Sequence, residues 1–114
     1  MIALSALEIL KSIVGTENIF LDESSLEAYS LDALGRWGSG QPGLSPPRGY
    51  AAVRPSSTIE VAQVVKLAYE ERIPLVPYGG GTGVMGSVLP VRGGIILDLK
   101  RLNQIIEVNP QDLT

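Results

Sequence analysis

Between Ser5 and Val14 the apolar residues fall three and four apart. Leu7, Leu10 and Val14 share one face of a helix whose start is marked by Ser5 and Glu8 in capping-box spacing and whose stop is Gly15. Polar residues then dominate as far as Pro47. A brief helical turn is expected near Ser25 to Ser30, and the stretch from Gly35 to Arg48 reads as a long glycine-rich loop. The pattern sharpens at "YAAVRPSS", a short strand from Tyr50 to Arg54 that Pro55 closes. Ser57 and Glu60 open a helix in capping-box spacing, along which Val61, Val64, Val65 and Ala68 recur at helical intervals. That helix must stop before Pro74, because a proline ring disfavours helical geometry in the residue ahead of it, and "PLVP" is the next strand. "GGIILDL" reads as a third strand, apolar enough for burial on both faces, and "IIEVNP" as a fourth, ended by Asn109 and Pro110.

Strand, helix and strand from Tyr50 to Pro77 make a βαβ unit, so the fold class is α/β (α+β), with parallel strands joined by a right-handed crossover. Burial of the three valines would contribute roughly 1.5–3 kcal/mol each before the entropy of ordering, which makes packing on the sheet the main support of this helix. At 114 residues the chain has room for one domain and a modest core. Residues 1–48 read as an N-terminal helical and loop segment, and residues 49–114 as the sheet-forming part.

Composition narrows the chemistry. Nine Lys and Arg against twelve Asp and Glu leave a net charge of −3 with no basic cluster, which argues against nucleic acid as a partner. The chain has no Cys and no His, so it offers no thiol nucleophile, imidazole base or disulfide, and no zinc site of the usual nitrogen and sulfur kind. Reactivity has to be borrowed from a bound group. The N-terminus lacks the features of a secretory signal and no apolar run suffices for a transmembrane segment, so a cytoplasmic location is the expectation.

The densest punctuation is "VPYGGGTGVMG", with five glycines in eleven residues, leaving the carboxyl end of a parallel strand. Open α/β sheets put their ligands there. Backbone N–H groups without side chains in the way form a concave nest for an anion, and Thr82 adds a hydroxyl, so a phosphate or diphosphate is the natural guest. A glycine turn without a ligand is the competing reading. A Walker loop is excluded, because no lysine occurs between Lys66 and Lys100. The dinucleotide spacing G-x-G-x-x-G is present as Gly81, Gly83 and Gly86, with Asp98 downstream, but Pro90 follows too soon for the helix that motif requires. Asp98, beside Lys100 and Arg101, reads as a solvated or capping acid outside the site. Tyr29, Asp32 and Trp37 read as packing that pins the long loop, with a place near the cofactor as the alternative.

Three segments in order, "YSLDA" at Tyr29–Ala33, "AAVRPSSTIEVAQVVKLAYEERIPLVPYGGGTG" at Ala51–Gly83 and "GGIILDLKRLNQIIEVNP" at Gly93–Pro110, resemble the N-terminal part of the FAD-linked oxidase family, with its PCMH-type flavin-binding domain. The resemblance implies that Pro77, Tyr78, Gly79, Gly80, Gly81, Thr82 and Gly83, with Gly86 and Ser87, wrap the diphosphate of FAD. It also implies oxidation of a 2-hydroxy acid or similar alcohol. Similar members often carry a basic residue where Tyr78 stands and a glycine where Ser87 stands, so backbone amides must do more of the anion binding here. Members with covalent flavin use His or Cys, so FAD would be held non-covalently, and no catalytic residue is expected within these 114 residues. The family's flavin domain continues past the equivalent of Thr114, so residues 49–114 would be its first part. A second chain, or a homo-oligomer, could complete it. The alternative is a nucleotide-binding or interaction module without turnover, or a truncated, inactive fragment.

Overall fold

The computed structural model describes residues 1–33 and 47–114; Trp37 and most of the expected long loop lie outside them. The elements are helix α1 (Leu4–Val14), a 3-10 turn (Thr16–Asn18), strand β1 (Ile19–Phe20), helix α2 (Glu23–Ala28), strand β2 (Ala51–Val53), helix α3 (Thr58–Glu70), and strands β3 (Leu75–Tyr78) and β4 (Ile95–Asp98). The four strands form one sheet in the order β1-β2-β4-β3. β4 pairs in parallel with both β2 and β3, and β1 is antiparallel to β2. The expected βαβ unit therefore holds, with β4 inserted between its two strands.

Strand periodicity divides the core. Ala51, Val53, Ile95 and Leu97 point to one face, where Leu10 and Val14 of α1 and Val64, Leu67 and Ala68 of α3 cover them. Ala52 and Ile96 point to the other, against Leu26 of α2 and Tyr29. All four residues of β4 are buried, as expected of a central parallel strand with both faces covered.

Several expectations change. Helix α1 begins at Leu4 with Ala3 as its cap residue and no side-chain cap, so Ser5 lies inside the first turn, and Glu8 pairs with Lys11 at 2.8 Å. In α3, Ser57 caps the Glu60 N–H at 3.2 Å, but the Glu60 carboxylate accepts from Ser56 rather than from Ser57. Val65 is 43% exposed and Leu67 takes the buried place on that helix. The second helix starts two residues early because Asp22 caps it by accepting from the Ser25 N–H at 2.9 Å. The segment "IIEVNP" is not a strand; the sheet edges are β1 and β3, and Ile106 is left 97% exposed with no ladder to join. Strand β1 is too short for its two residues to show alternation.

Candidate cofactor-binding site

The carboxyl ends of β2, β3 and β4 lie side by side and deliver Arg54, Tyr78 and Asp98 to one edge of the sheet. The glycine loop leaves β3 at this edge, and no helix follows it before Pro90, so the dinucleotide spacing lacks its helix. Its path is tied down at two points: the Ala33 N–H donates to the Gly83 carbonyl at 3.0 Å, and the Leu89 N–H to the Gly86 carbonyl at 3.1 Å.

The glycines divide into two kinds. Gly81 and Gly86 have φ of 68° and 77°, which L side chains rarely adopt, and a Cβ on Gly81 would also stand 2.6 Å from Cζ of Tyr78. The turn itself requires them. Gly79, Gly80 and Gly83 have no positive φ, and a Cβ on Gly79 would meet nothing within 4 Å. On Gly80 it would come no closer than 3.5 Å to the Thr82 methyl, and on Gly83 no closer than 3.6 Å to the Ser87 hydroxyl. Nothing among the described residues calls for bare backbone at these three positions. Among the described residues, the N–H groups from Gly79 to Ser87 donate to no protein acceptor. The loop thus carries a run of unspent donors, with Thr82 and Ser87 exposed on it. Pro77 is exposed on β3, on the opposite face from Tyr78.

Behind the loop lies a buried polar cluster. Asp98 is fully buried, not solvated as its neighbours in sequence suggested. Its carboxylate accepts from the Tyr29 hydroxyl, from Arg54 Nε at 3.0 Å and from the Lys100 N–H at 3.0 Å, and Lys100 Nζ is 3.9 Å away. Burying an ionised carboxylate is costly unless it is paired and hydrogen-bonded, and here both conditions are met. Arg54 also donates to the Tyr29 oxygen from Nε and Nη2, at 3.1 and 3.0 Å, and its guanidinium lies 4.5 Å from the Phe20 ring centre. Burial, and then the bond to Asp98, push the Tyr29 hydroxyl up to about 12, so it stays a donor at neutral pH. The hydrogen bond to Tyr29, followed by that to Asp98, raises Arg54 above its ordinary value. Tyr29 meets the Tyr78 ring edge to face, with centres 5.0 Å apart and planes at 89°. Lys100 Nζ sits 5.2 Å from the Tyr78 ring centre. A cleft of about 210 Å³ opens among Phe20, Tyr29, Arg54, Tyr78 and Lys100. No periodicity signal marks this cluster, because Tyr29, Arg54 and Asp98 come from three separate segments.

A family model described as an FAD binding domain matches residues 50–114. The chain belongs to that family. Glycolate oxidase subunit GlcD of Bacillus subtilis (strain 168) is 32% identical over 114 residues, 100% of this chain and 23% of the relative. D-lactate dehydrogenase of Anaerostipes hadrus is 29% identical over 93 residues, 82% of this chain and 18% of the relative. The crystal structure of p-cresol methylhydroxylase with substrate bound superposes with a TM-score of 0.73 at 28% identity, covering 94% of this chain and 20% of that one. The FAD-binding domain described here thus has the PCMH-type fold and spans about a fifth of the length of the relatives it matches. Among the described residues no helix is long and apolar enough to cross a membrane.

FAD carries a diphosphate, and the loop of the FAD-binding domain fits that group. Among the described residues its N–H donors have no protein acceptor, and a Cβ at Gly79, Gly80 or Gly83 would meet no protein atom closer than 3.5 Å.

Proposed function

We propose that this chain holds the diphosphate of FAD, non-covalently, in the loop from Pro77 to Gly83 together with Gly86 and Ser87. The observation that carries the reading is the set of three glycines, Gly79, Gly80 and Gly83, that neither their dihedral angles nor their neighbours require. Backbone N–H groups bind the phosphate oxygens, and the Thr82 and Ser87 hydroxyls add side-chain donors. Arg54 and Lys100 against Asp98 leave one net positive charge at the same edge of the sheet, which favours an anion in the loop. Neither His nor Cys is present to form a bond to the flavin.

We further propose that the chain acts as part of an FAD-linked oxidoreductase on a 2-hydroxy acid or similar alcohol. Glycolate oxidase and D-lactate dehydrogenase among its relatives support that substrate class. Bound flavin supplies the hydride acceptor; the residues here bind and orient it. The test is a fluorescence titration of the purified chain with FAD, with ADP as competitor because ADP shares the diphosphate. Saturable binding that ADP displaces supports the assignment. Binding that ADP leaves untouched, or no binding by a folded chain, refutes it.

A second reading is an interaction module without turnover. Ile105, Ile106 and Val108 favour it, being 84, 97 and 71% exposed in a segment that pairs with no strand. Contact with further polypeptide, within a longer chain or in a second one, would cover them. Light scattering decides whether the 114 residues self-associate: a monomer across the accessible concentrations removes the homo-oligomer.

A further inference from the structure

Tyr78 is the one loop residue whose side chain turns back into the fold. Its phenol ring lies against the Cα of Gly81, close enough that a Cβ there would clash with the ring and force it to move. Gly81 is also the loop's first residue with positive φ. The ring also packs edge to face with Tyr29, and Tyr29 is itself fixed by its hydroxyl on the buried carboxylate of Asp98. Arg54 closes the arrangement by donating to both Tyr29 and Asp98. A continuous line of contacts therefore runs from a fully buried anion, through two aromatic rings, to the backbone of the turn. Among the described residues the loop has few other restraints: its N–H groups from Gly79 to Ser87 donate to no protein acceptor, and its backbone accepts at the Tyr78 carbonyl from the Leu99 N–H, at Gly83 from Ala33 and at Gly86 from Leu89.

We propose that Tyr29 and Asp98 are positioning residues that hold the glycine loop in its anion-ready shape through Tyr78. This rests on the reading of the loop as the diphosphate site. The residues touch no ligand; they set the turn at Gly81 that faces the loop's N–H groups outward. Pre-organised donors bind an anion more tightly than donors that must first be ordered, so loosening Tyr29 weakens binding without removing a binding group.

The test compares Tyr29→Leu, which removes both hydroxyl and ring, with Tyr29→Phe, which keeps the ring edge against Tyr78. Val14→Ala is the control, a core truncation in α1 with no contact to the loop. The first measurement is the amide ¹H–¹⁵N spectrum of the free chain. The expected result is displaced Gly79–Gly83 resonances in Tyr29→Leu, smaller displacements in Tyr29→Phe, and none in Val14→Ala. The second is FAD affinity, expected to fall roughly tenfold in Tyr29→Leu and less in Tyr29→Phe. If Tyr29→Leu fails to fold, Tyr29→Phe against Val14→Ala decides by the same measurements. Loop resonances that stay in place in the Tyr29 variants, or move equally in Val14→Ala, overturn the proposal. Gly80→Val separates the two ideas. If it leaves FAD bound, the diphosphate reading fails; if it abolishes binding while the Tyr29 variants bind as wild type, the positioning role fails.

Discussion

Alanine at Gly79 or Gly80 should make the chain more stable and a poorer ligand for FAD. Neither residue has a positive φ, and an added methyl at Gly79 meets nothing within 4 Å, so alanine restricts the unfolded chain without strain in the folded one. The expected gain is about 0.4–1 kcal/mol per site, or roughly 2–6 °C in Tm for a domain of this size. Gly94 is the contrast. Its φ is 93°, and a Cβ there would stand 2.7 Å from the Pro74 carbonyl carbon, against the bond from the Ile95 N–H to the Pro74 carbonyl that opens the β3–β4 pairing. The left-handed conformation alone costs about 1–2 kcal/mol with a side chain, and forced separation of two paired strands adds to it. Gly94→Ala should therefore lose more than about 2 kcal/mol, enough to lower Tm by roughly 10 °C or more. Urea denaturation followed by circular dichroism measures all three, and an FAD titration of the same samples gives the affinity. Gly79→Ala and Gly80→Ala that are destabilised would mean the fold, and not a ligand, selects glycine there. Variants that are stabilised and bind FAD as wild type would equally refute the reasoning.

Other outcomes follow from the buried cluster and the core. Arg54→Ala removes a charge-assisted bond to buried Asp98 and the contact with Phe20, and should cost about 2–3 kcal/mol given that Arg54 is partly exposed. In a double-mutant cycle, Asp98→Asn should cost less in the Arg54→Ala background than in wild type; additive effects would mean the pair is not coupled. Tyr29 retains its proton to about pH 12 when folded but releases it near 10 when unfolded. The unfolded state thus binds fewer protons between those values, so stability is intact below pH 10 and falls as pH rises to 12. Tyr29→Phe should show a shallower decline over that window in pH-dependent urea unfolding, and an unchanged slope would count against the buried hydroxyl. Val64→Ala should lose about 1.5–3 kcal/mol, while Val65→Ala, on the exposed face of α3, should change stability by less than about 0.5 kcal/mol.

Elements held by local rules were legible in the sequence. Helix α3 followed from its cap and its apolar interval, the start of β3 from Pro74, and β4 from an unbroken apolar run. The errors fall where tertiary pairing decides. Ile105 to Val108 have strand composition but no neighbouring strand, and Ile19–Phe20 have too few residues to show a period yet pair with β2. The insertion of β4 between β2 and β3 is likewise a choice of partner that no single segment announces. The glycine loop was visible as a candidate through its composition and its place after a strand. The distinction between glycines the turn needs and glycines it does not came only with dihedral angles and distances. Asp98 was misjudged because its sequence neighbours are cations near a chain turn, whereas its burial depends on Tyr29, 69 residues away.

The most direct test of the diphosphate site is the amide ¹H–¹⁵N spectrum of the chain titrated with ADP and, separately, with adenosine. ADP should shift the resonances of Gly79, Gly80, Gly81, Thr82, Gly83 and Ser87 in a saturable manner, while adenosine leaves them in place. Shifts confined to other parts of the fold, or an adenosine response equal to that of ADP, would contradict it.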